Sequence, residues 1–229
     1  MPKKAVDTGP AVDPLTRIRD AILDGRIFPN ERLVEENLAQ QLATSRTAIR
    51  LALAVLEQQG LVVRERNHGA RVRRILEEEA IQIMELRSVL ESLAARHAAL
   101  RAKPDDIARL RAMTKALEEA SKDGESNRFS EMNVEFHADI LRIAQHQPVA
   151  DLVKGLRAQI IVFQYRPIHA PGRMQQLNKE HRKLVAAIAS HDGDAAEAAM
   201  REHLDNAVDA LRMVISETQA RKARLVVDA

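Results

Sequence analysis

The chain has 229 residues, 45% of them hydrophobic, which is enough for one large domain or two small ones with a substantial core. Aromatic residues make up only 2% of the chain and cysteine is absent, which argues against base stacking on single-stranded nucleic acid and excludes disulfides and thiolate metal sites. The formal net charge is only +2, but residues 1–75 carry +4 and residues 76–229 carry −2, so any nucleic-acid surface is expected in the N-terminal third.

The N-terminal segment shows no sign of export or membrane insertion. Residues 1–5, Met-Pro-Lys-Lys-Ala, lack the apolar core of a signal peptide, and no apolar run approaches the length of a membrane span. The sequence therefore predicts a cytoplasmic protein without a membrane partner, with a disordered tail over residues 1–12.

Residues 35–53 predict two short helices joined by a tight turn. Ser45 is a good N-cap for the second helix and leaves Arg46, Thr47 and Arg50 on the solvent side of its first turns. A recognition helix places its base-reading and phosphate-binding groups there, and arginine can bond a guanine edge through two parallel donors. Each helix also has one apolar face, formed by Leu38 and Leu42 on the first and by Ile49, Ala52, Leu53 and Leu56 on the second.

A pair of strands follows Gly60. Residues 61–65 and 70–72 have strand character and flank a turn, so they predict a two-stranded wing. From residue 44 to residue 75, seven arginines stand against two glutamates, and this formal balance of +5 favours contact with a DNA groove or with phosphates. A helix-turn-helix shape can also be a packing solution without DNA, and the pattern alone leaves that alternative open. The basic side chains in or beside the wing are Arg64, Arg66, His68 and Arg71.

A pattern of small, apolar and basic residues runs through this whole region, residues 14–74. It consists of Ile22, Gly25, Phe28, Pro29, Leu33, Leu38, Ala39, Leu42, Ser45, Arg46, Thr47, Arg50, Ala52, Leu53, Leu56, Gly60, Leu61, Gly69 and Val72. The pattern resembles the winged-helix domain of the GntR family of bacterial transcription regulators, which bind double-stranded DNA. The resemblance implies DNA contacts from Ser45, Arg46, Thr47, Arg50, His68 and Gly69, to which the charge pattern adds Arg66 and Arg71.

Two positions depart from the family pattern. Asn30 stands where the family usually has glycine after Phe28-Pro29, and residues 48–51, Ala-Ile-Arg-Leu, replace the usual Pro-Val-Arg-Glu. Both changes are compatible with the fold, because asparagine is the non-glycine residue that best accepts a left-handed turn, and Ala48 falls in a first helical turn where proline is favoured but not required.

From Glu77 onward the sequence predicts an all-α domain of about six helices, because glycine and proline are few and helical periodicity is long. The first helix, from about residue 77 to 101, carries an apolar stripe that we expect to be buried. The stripe consists of Ile83, Leu86, Leu90, Leu93, His97 and Leu100. The later helices are predicted at about residues 105–121, 126–145, 148–166, 173–191 and 193–222.

Three histidines of this domain could share a ligand. Asn133 and His137 lie four residues apart on one helix face, and a bundle could bring His181 and His203, on the last two helices, next to them. Spacing alone fits equally well with separate surface or core histidines, so the pattern leaves both interpretations open.

A second family pattern includes these histidines. It consists of Glu85, Leu86, Arg87, Leu90, Glu91, Asn133, Phe136, His137, Leu141, Glu180, His181, Ala199, His203 and Leu204. Over residues 77–220 it resembles the FCD-type effector domain of the FadR-like branch of GntR regulators. In that family three histidines, with an Asp or Asn four residues before the first, bind a divalent metal such as zinc or nickel. The resemblance therefore implies that Asn133, His137, His181 and His203 are metal ligands, although Asn133 lacks the charge that an aspartate would add.

Arg87 has two interpretations. As the i, i+4 partner of Glu91 it would form a surface ion pair worth a few tenths of a kcal/mol. The resemblance instead implies that Arg87 points into the effector cavity and pairs with the carboxylate of a small organic acid, for which a guanidinium is well shaped.

The sequence thus predicts a mainly α protein. A winged helix-turn-helix domain spans residues 13–75, a helical domain for effector binding and dimerisation spans residues 76–222, and residues 223–229 form a tail. The predicted function is a ligand-responsive bacterial transcription regulator, by default a repressor, which binds a pseudo-palindromic operator as a homodimer.

Two alternatives are weighed against this prediction. A metal-dependent enzyme could use His137, His181 and His203, but the glutamates beside them in sequence (Glu135, Glu180 and Glu202) point about 100° away on a helix, so a general base is not placed. We therefore predict that the chain is not an enzyme. The helical domain could also serve dimerisation alone, without any ligand.

Overall fold

The computed structural model describes residues 13–23, 26–65, 69–160, 168 and 172–227, and the chain divides into two units, residues 1–74 and residues 75–229. The predicted tail of residues 1–12, together with Arg66 and His68 of the wing turn, lies outside the described residues. None of the described helices is both long enough and apolar enough to cross a membrane.

The N-terminal unit is a winged helix-turn-helix. The sheet order is β1-β3-β2 and both pairings are antiparallel, with Leu33 opposite Ala70 and Val63 opposite Arg71. The helix-turn-helix and the two wing strands were predicted, whereas β1 was not. The elements are α1 (Pro14–Leu23), β1 (Arg32–Leu33), α2 (Glu35–Gln41), α3 (Arg46–Gln58), β2 (Val62–Glu65) and β3 (Gly69–Val72).

Local chemistry fixes the start of α3 and the turn before β1. The Ser45 hydroxyl accepts a hydrogen bond from the Ala48 backbone amide at 3.1 Å, which is the N-cap expected from the sequence. Asn30 has a φ of 70° and donates its backbone amide to the Val72 carbonyl at 2.9 Å. Asparagine therefore accepts the left-handed turn at the position where the family usually has glycine.

The core of this unit is apolar and follows the predicted helix faces. Ile18 and Ile22 of α1 are buried, and α1 packs against α3. On α2 and α3 the buried residues include Leu38, Ile49, Ala52, Leu53 and Leu56, all of which were predicted to face inward, while Leu42 is half-buried.

The C-terminal unit is an all-α bundle, as predicted. All six of its helices begin within one residue of the predicted positions, and the last continues to Val227, past the predicted end at residue 222. The fourth helix of the unit ends at Gln159, and residues 161–166 of its predicted length are not described. The helices are α4 (Glu77–Arg101), α5 (Pro104–Lys122), α6 (Ser126–Ala144), α7 (Gln147–Gln159), α8 (Arg173–Ala189) and α9 (Gly193–Val227).

The predicted burial of the apolar stripe on α4 is wrong for Leu86 and Leu100, whereas Ile83 is buried as predicted. Leu86 is 49% exposed, Val89 52% and Leu100 59%, while Leu90, Leu93 and His97 are only partly buried. The most buried face of α4 lies beside the stripe and includes many small residues, Ala80, Ala94, Ala95, Ala98 and Ala99, with Met84, Arg87 and Glu91. Small side chains let α9 and α6 approach α4 closely. Leu86 and Leu100 lie outside this contact and face outward.

Candidate metal centre and nucleic-acid surface

Three buried histidines converge inside the helical unit. His137 comes from α6, His181 from α8 and His203 from α9, and one ring nitrogen of each lies within 4.8 Å of the others. Each stands on the inward face of its helix among apolar residues, with Phe136 packed against the His181 ring at a centroid distance of 4.6 Å. The bundle therefore brings together the three histidines that the sequence singled out.

Two of these rings are oriented by carboxylates. The Nδ1 atom of His137 lies 2.9 Å from Glu91 Oε2, and the Nδ1 atom of His203 lies 2.8 Å from Glu180 Oε2. A carboxylate can only accept, so each Nδ1 carries the proton and each Nε2 is left with its lone pair. A carboxylate behind a histidine in this way is the usual support of a metal ligand.

The two free lone pairs face each other. His137 Nε2 and His203 Nε2 are 3.1 Å apart. Burial lowers the pKa of His137 to about 3, although the hydrogen bond and charge of Glu91 act in the opposite direction, so this ring is neutral at physiological pH. Two neutral nitrogens in this geometry repel unless a positive charge, a shared proton or a metal ion, lies between them.

His181 and Asn133 add further unpaired atoms. Both ring nitrogens of His181 and the side-chain oxygen of Asn133 are buried and have no hydrogen-bond partner among the described residues. Burial lowers the pKa of His181 well below its ordinary value. A buried unpaired group costs about 1–3 kcal/mol, and one shared proton cannot satisfy all of these atoms. Three imidazoles and an amide oxygen fit a divalent ion such as zinc or nickel.

Both carboxylates are paired with arginines. Glu91 accepts hydrogen bonds from Arg87 at 2.8 Å and from Arg157 of α7 at 2.8 Å. Glu180 accepts from Arg173 at 2.8 Å and from Asn206 at 2.9 Å. Burial alone would raise the pKa of Glu91, but the charges of Arg157 and Arg87 and the bond from His137 together lower it well below the ordinary value.

Arg87 was expected either to pair with Glu91 at the surface or to point into the cavity toward a ligand carboxylate. The structure forms the pair and buries it, with 6% of the Arg87 side chain and 2% of the Glu91 side chain exposed. The metal-supporting position of Glu91 and Glu180 was missed by the sequence prediction, as were Arg157 and Arg173. The available signals were the spacing of Arg87 and Glu91 and the presence of Glu91 and Glu180 in the pattern that resembles the FCD domain.

A cavity adjoins the histidines and is strongly cationic. Its lining includes Arg87, Arg157 and Arg173 beside His137 and His203, with Asn133 and the apolar side chains of Leu177 and Leu204 completing the wall. None of the described lining residues is a carboxylate, because Glu91 and Glu180 lie behind the arginines. The arrangement can receive an anionic molecule whose oxygens reach both guanidinium groups and a metal ion.

The glutamates adjacent to the histidines in sequence do not form a general base. Glu135 is exposed, and Glu202 is paired with Lys183 at the surface. Glu180 does enter the site, contrary to the expected direction, but its two oxygens are occupied by Arg173, His203 and Asn206. Its role is to hold His203.

The predicted DNA contacts of α3 are exposed. Ser45, Arg46, Thr47 and Arg50 all lie at the surface around the first turns of the helix. The Arg50 guanidinium is held by Glu35 of α2, with Nη2 to Oε2 at 2.9 Å and Nε to Oε1 at 3.2 Å. The hydrogen bond from Arg50 lowers the pKa of Glu35.

The wing strands contact the same surface. Arg64 of β2 donates to the Arg50 backbone carbonyl at 2.8 Å, which ties the wing to the recognition helix. Arg71 of β3 is half-buried and donates to the Asn30 carbonyl at 3.2 Å. Gly69 opens β3 with a φ of 83°, a left-handed conformation that suits glycine at the end of the turn.

These two units define a class of protein: a transcription regulator with a winged-helix DNA-binding unit and a helical unit that encloses a histidine-lined cavity. Family models agree with both halves. The model of bacterial regulatory proteins of the gntR family matches residues 15–72, and the model of the FCD domain matches residues 82–206. The chain belongs to the GntR family of bacterial transcription regulators, in the branch that carries an FCD domain.

Individual relatives cover nearly the whole chain. The "Putative L-lactate dehydrogenase operon regulatory protein" of Escherichia coli (strain K12) is 30% identical, with 91% of this chain and 88% of that protein covered. The transcriptional repressor RspR of the same strain is 25% identical, covering 87% and 88% of the two chains. Among solved structures, E. coli McbR/YncC shares the fold with a TM-score of 0.72 at 20% identity, covering 90% of this chain and 98% of that chain.

The family settles the choice between regulator and enzyme. GntR regulators bind DNA operators and respond to small molecules through their FCD domains, and the named relatives are regulators. The prediction that the chain is a transcription regulator and not an enzyme is confirmed.

Proposed function

We propose that this regulator is an operator-binding repressor that senses a small organic acid beside a divalent metal ion in its FCD domain. The observation that carries the proposal is the contact between two features: a cavity lined by three arginines and a cluster of buried histidines with unpaired nitrogens. The arginines supply the charge that recognises an acid, and the histidines supply the donors that hold a metal.

In this proposal His137, His181, His203 and Asn133 hold the ion, which is zinc or nickel. The bound ion supplies a Lewis-acidic attachment point for oxygen atoms of the ligand. Glu91 and Glu180 fix the ring orientation of His137 and His203, and Arg87 pairs with a ligand carboxylate.

The names of relatives guide the search for the acid. One relative is named for the regulation of an L-lactate dehydrogenase operon, and another, 26% identical, for a D-xylose utilization operon. The three arginines of the cavity favour an acid over a neutral sugar, since Glu91 and Glu180 match only two of their charges and a neutral ligand would leave the third unmatched. A 2-hydroxy acid such as lactate has a carboxylate for an arginine and a second oxygen for the metal.

The exposed leucines of α4 support a homodimer. Leu86, Val89 and Leu100 lie on one face of the helix and are half exposed or more. We propose that a second copy of the chain covers this face, so that two recognition helices read the two halves of a pseudo-palindromic operator. An acid that binds one packing of the bundle better than another would then shift the dimer away from its DNA-binding form.

The test begins with duplexes selected from a random pool by the purified protein. Operator binding of the nickel-loaded protein is measured by fluorescence polarisation with a panel of organic acids, and we expect at least one acid to weaken it about tenfold or more. Arg87→Lys keeps the charge but loses the bidentate geometry, so it should lose this response while still binding the operator.

Two results would overturn the proposal. If no acid in the panel changes either operator affinity or thermal stability, the helical domain serves dimerisation alone. If Arg87→Lys responds as the parent protein does, the acid is not bound at these arginines.

A further inference from the structure

Glu91 lies between the candidate metal ligands and the arginines of the cavity. Its Oε1 atom accepts hydrogen bonds from Arg87, and its Oε2 atom accepts from both Arg157 and His137 at 2.8 and 2.9 Å. Only 1% of the residue is exposed. One carboxylate thus serves two arginines that line the cavity and one histidine of the cluster.

We propose that Glu91 acts in opposite directions on the two halves of the site: it strengthens metal binding through His137 and weakens acid binding by serving as the internal counter-ion of Arg87 and Arg157. Glu91 is in this sense a positioning residue, since it acts on the metal through a histidine. The inference rests on the proposed function, because it concerns the same metal and the same class of acid.

The charges around Glu91 do not balance. Arg87 and Arg157 are both paired with this single carboxylate, which leaves one positive charge over. On the other side of the cluster, Arg173 is paired with Glu180, its one carboxylate partner among the described residues, through Nη1 to Oε1 at 2.8 Å and Nη2 to Oε2 at 3.3 Å. The excess positive charge lies beside Glu91, at Arg87 and Arg157. An acid is therefore expected to bind there rather than at Arg173.

An acid carboxylate and the Glu91 carboxylate use the same donors. Each is a planar group that accepts from guanidinium N–H, so an acid reaching Arg87 or Arg157 must share donors with Glu91 or replace it. Removal of the Glu91 charge therefore leaves two arginines without a counter-ion, and a buried cation without a partner binds an external anion more strongly.

The metal half responds in the other direction. The carboxylate fixes the His137 ring with Nδ1 protonated and Nε2 free, and it raises the basicity of that Nε2 atom. Glutamine in place of Glu91 keeps the shape but loses the charge, so His137 becomes a poorer ligand.

The test is Glu91→Gln with two separate measurements on the full chain. Nickel affinity, measured by competition with a chelating dye in acid-free buffer, should fall roughly tenfold to a hundredfold. Malonate affinity of the metal-free protein, measured by calorimetry, should rise tenfold or more. The double variant Glu91→Gln/Arg157→Gln should lose the gain in malonate affinity, because one of the two freed cations is absent.

A purely structural role for Glu91 would move both affinities in the same direction. Weaker binding of both probes, or malonate binding no tighter than in the parent, would overturn the inference. If Glu91→Gln does not fold, Arg157→Gln replaces it: this change removes the excess charge and should weaken malonate binding tenfold or more, and unchanged binding would again overturn the inference.

These outcomes separate the inference from the function on which it rests. Failure of the nickel-loaded parent protein to respond to any acid counts against the proposed function. If the parent protein does respond to an acid, but the nickel and malonate affinities of Glu91→Gln do not change in opposite directions, only the proposed role of Glu91 is contradicted.

Discussion

The Nε2 atoms of His137 and His203 face each other at 3.1 Å, while the Nδ1 atom of each ring is bound to its own carboxylate. Neither ring can turn to relieve this approach without breaking a buried hydrogen bond. The bundle therefore holds two lone pairs at a fixed point, beside a third histidine whose nitrogens have no partner among the described residues.

Metal content is the first prediction from this geometry. Protein purified without a histidine tag should contain about one divalent ion per chain, measured by plasma mass spectrometry, because three imidazoles converge on one point. His181→Ala/His203→Ala should lose the ion. His97→Ala is the matched control, since His97 is partly buried against His146 outside the cluster and should leave the metal content unchanged. Equal metal content in all three proteins would contradict a site at these histidines.

The stability of the metal-free protein should depend on pH. The pKa of His137 is lowered to about 3 in the folded chain from an ordinary value of 6.5, so between these values the unfolded chain binds more protons. The free energy of unfolding should therefore fall as the pH is lowered from 7 to 5, with a limiting slope of about 1.4 kcal/mol per pH unit for one such group.

Urea unfolding at pH 7, 6 and 5 measures this dependence. His137→Gln should show a flatter dependence, because glutamine does not titrate. The same urea midpoint at all three pH values in the parent protein would show that His137 is not held neutral by burial.

On the DNA side, Arg46 and Arg71 should behave differently. Arg46 is exposed at the first turn of α3, where side chains reach base edges, so Arg46→Ala should weaken the selected operator by about 1–3 kcal/mol and random DNA far less. Arg71→Ala should weaken both and reduce the dependence of binding on salt, as expected for a phosphate contact. Equal losses on operator and random DNA for Arg46→Ala would remove it from the base-reading residues.

The exposed face of α4 should control the oligomeric state. Leu86→Glu/Leu100→Glu places two charges on this face, and we expect a dimer to become a monomer in sedimentation experiments with helix content unchanged. Leu51→Glu changes a leucine of similar exposure on α3 and should leave the oligomeric state as it is. A monomeric parent protein, or a dimeric double variant, would contradict the proposed interface.

The features that the sequence predicted well are local in the chain. The N-cap of Ser45, the left-handed turn at Asn30 and the helix bounds depend on neighbouring residues, so a pattern suffices to find them. Strand β1 has two residues, too few to show any alternation, and is recognised only by its pairing with β3.

The features that the sequence missed depend on partners far along the chain. Glu91 reaches His137, 46 residues away, and Glu180 reaches His203, 23 residues away, through the packing of separate helices. The pattern on α4 located a real apolar stripe but not the side on which it lies, because periodicity shows that a face exists and not what covers it.

The alanine face of α4 limits which substitutions the protein can tolerate. Ala94, Ala95, Ala98 and Ala99 are almost completely enclosed against neighbouring helices, so an added methylene group at any of them has no free space to enter. Substitutions that change the size of Leu86 or Leu100 on the same helix should have little effect on the free energy of unfolding of the single chain, because both side chains are exposed. Along α4, the smallest side chains are therefore the positions where folding of the chain restricts change most, whereas Leu86 and Leu100 are restricted by the proposed contact with a second copy.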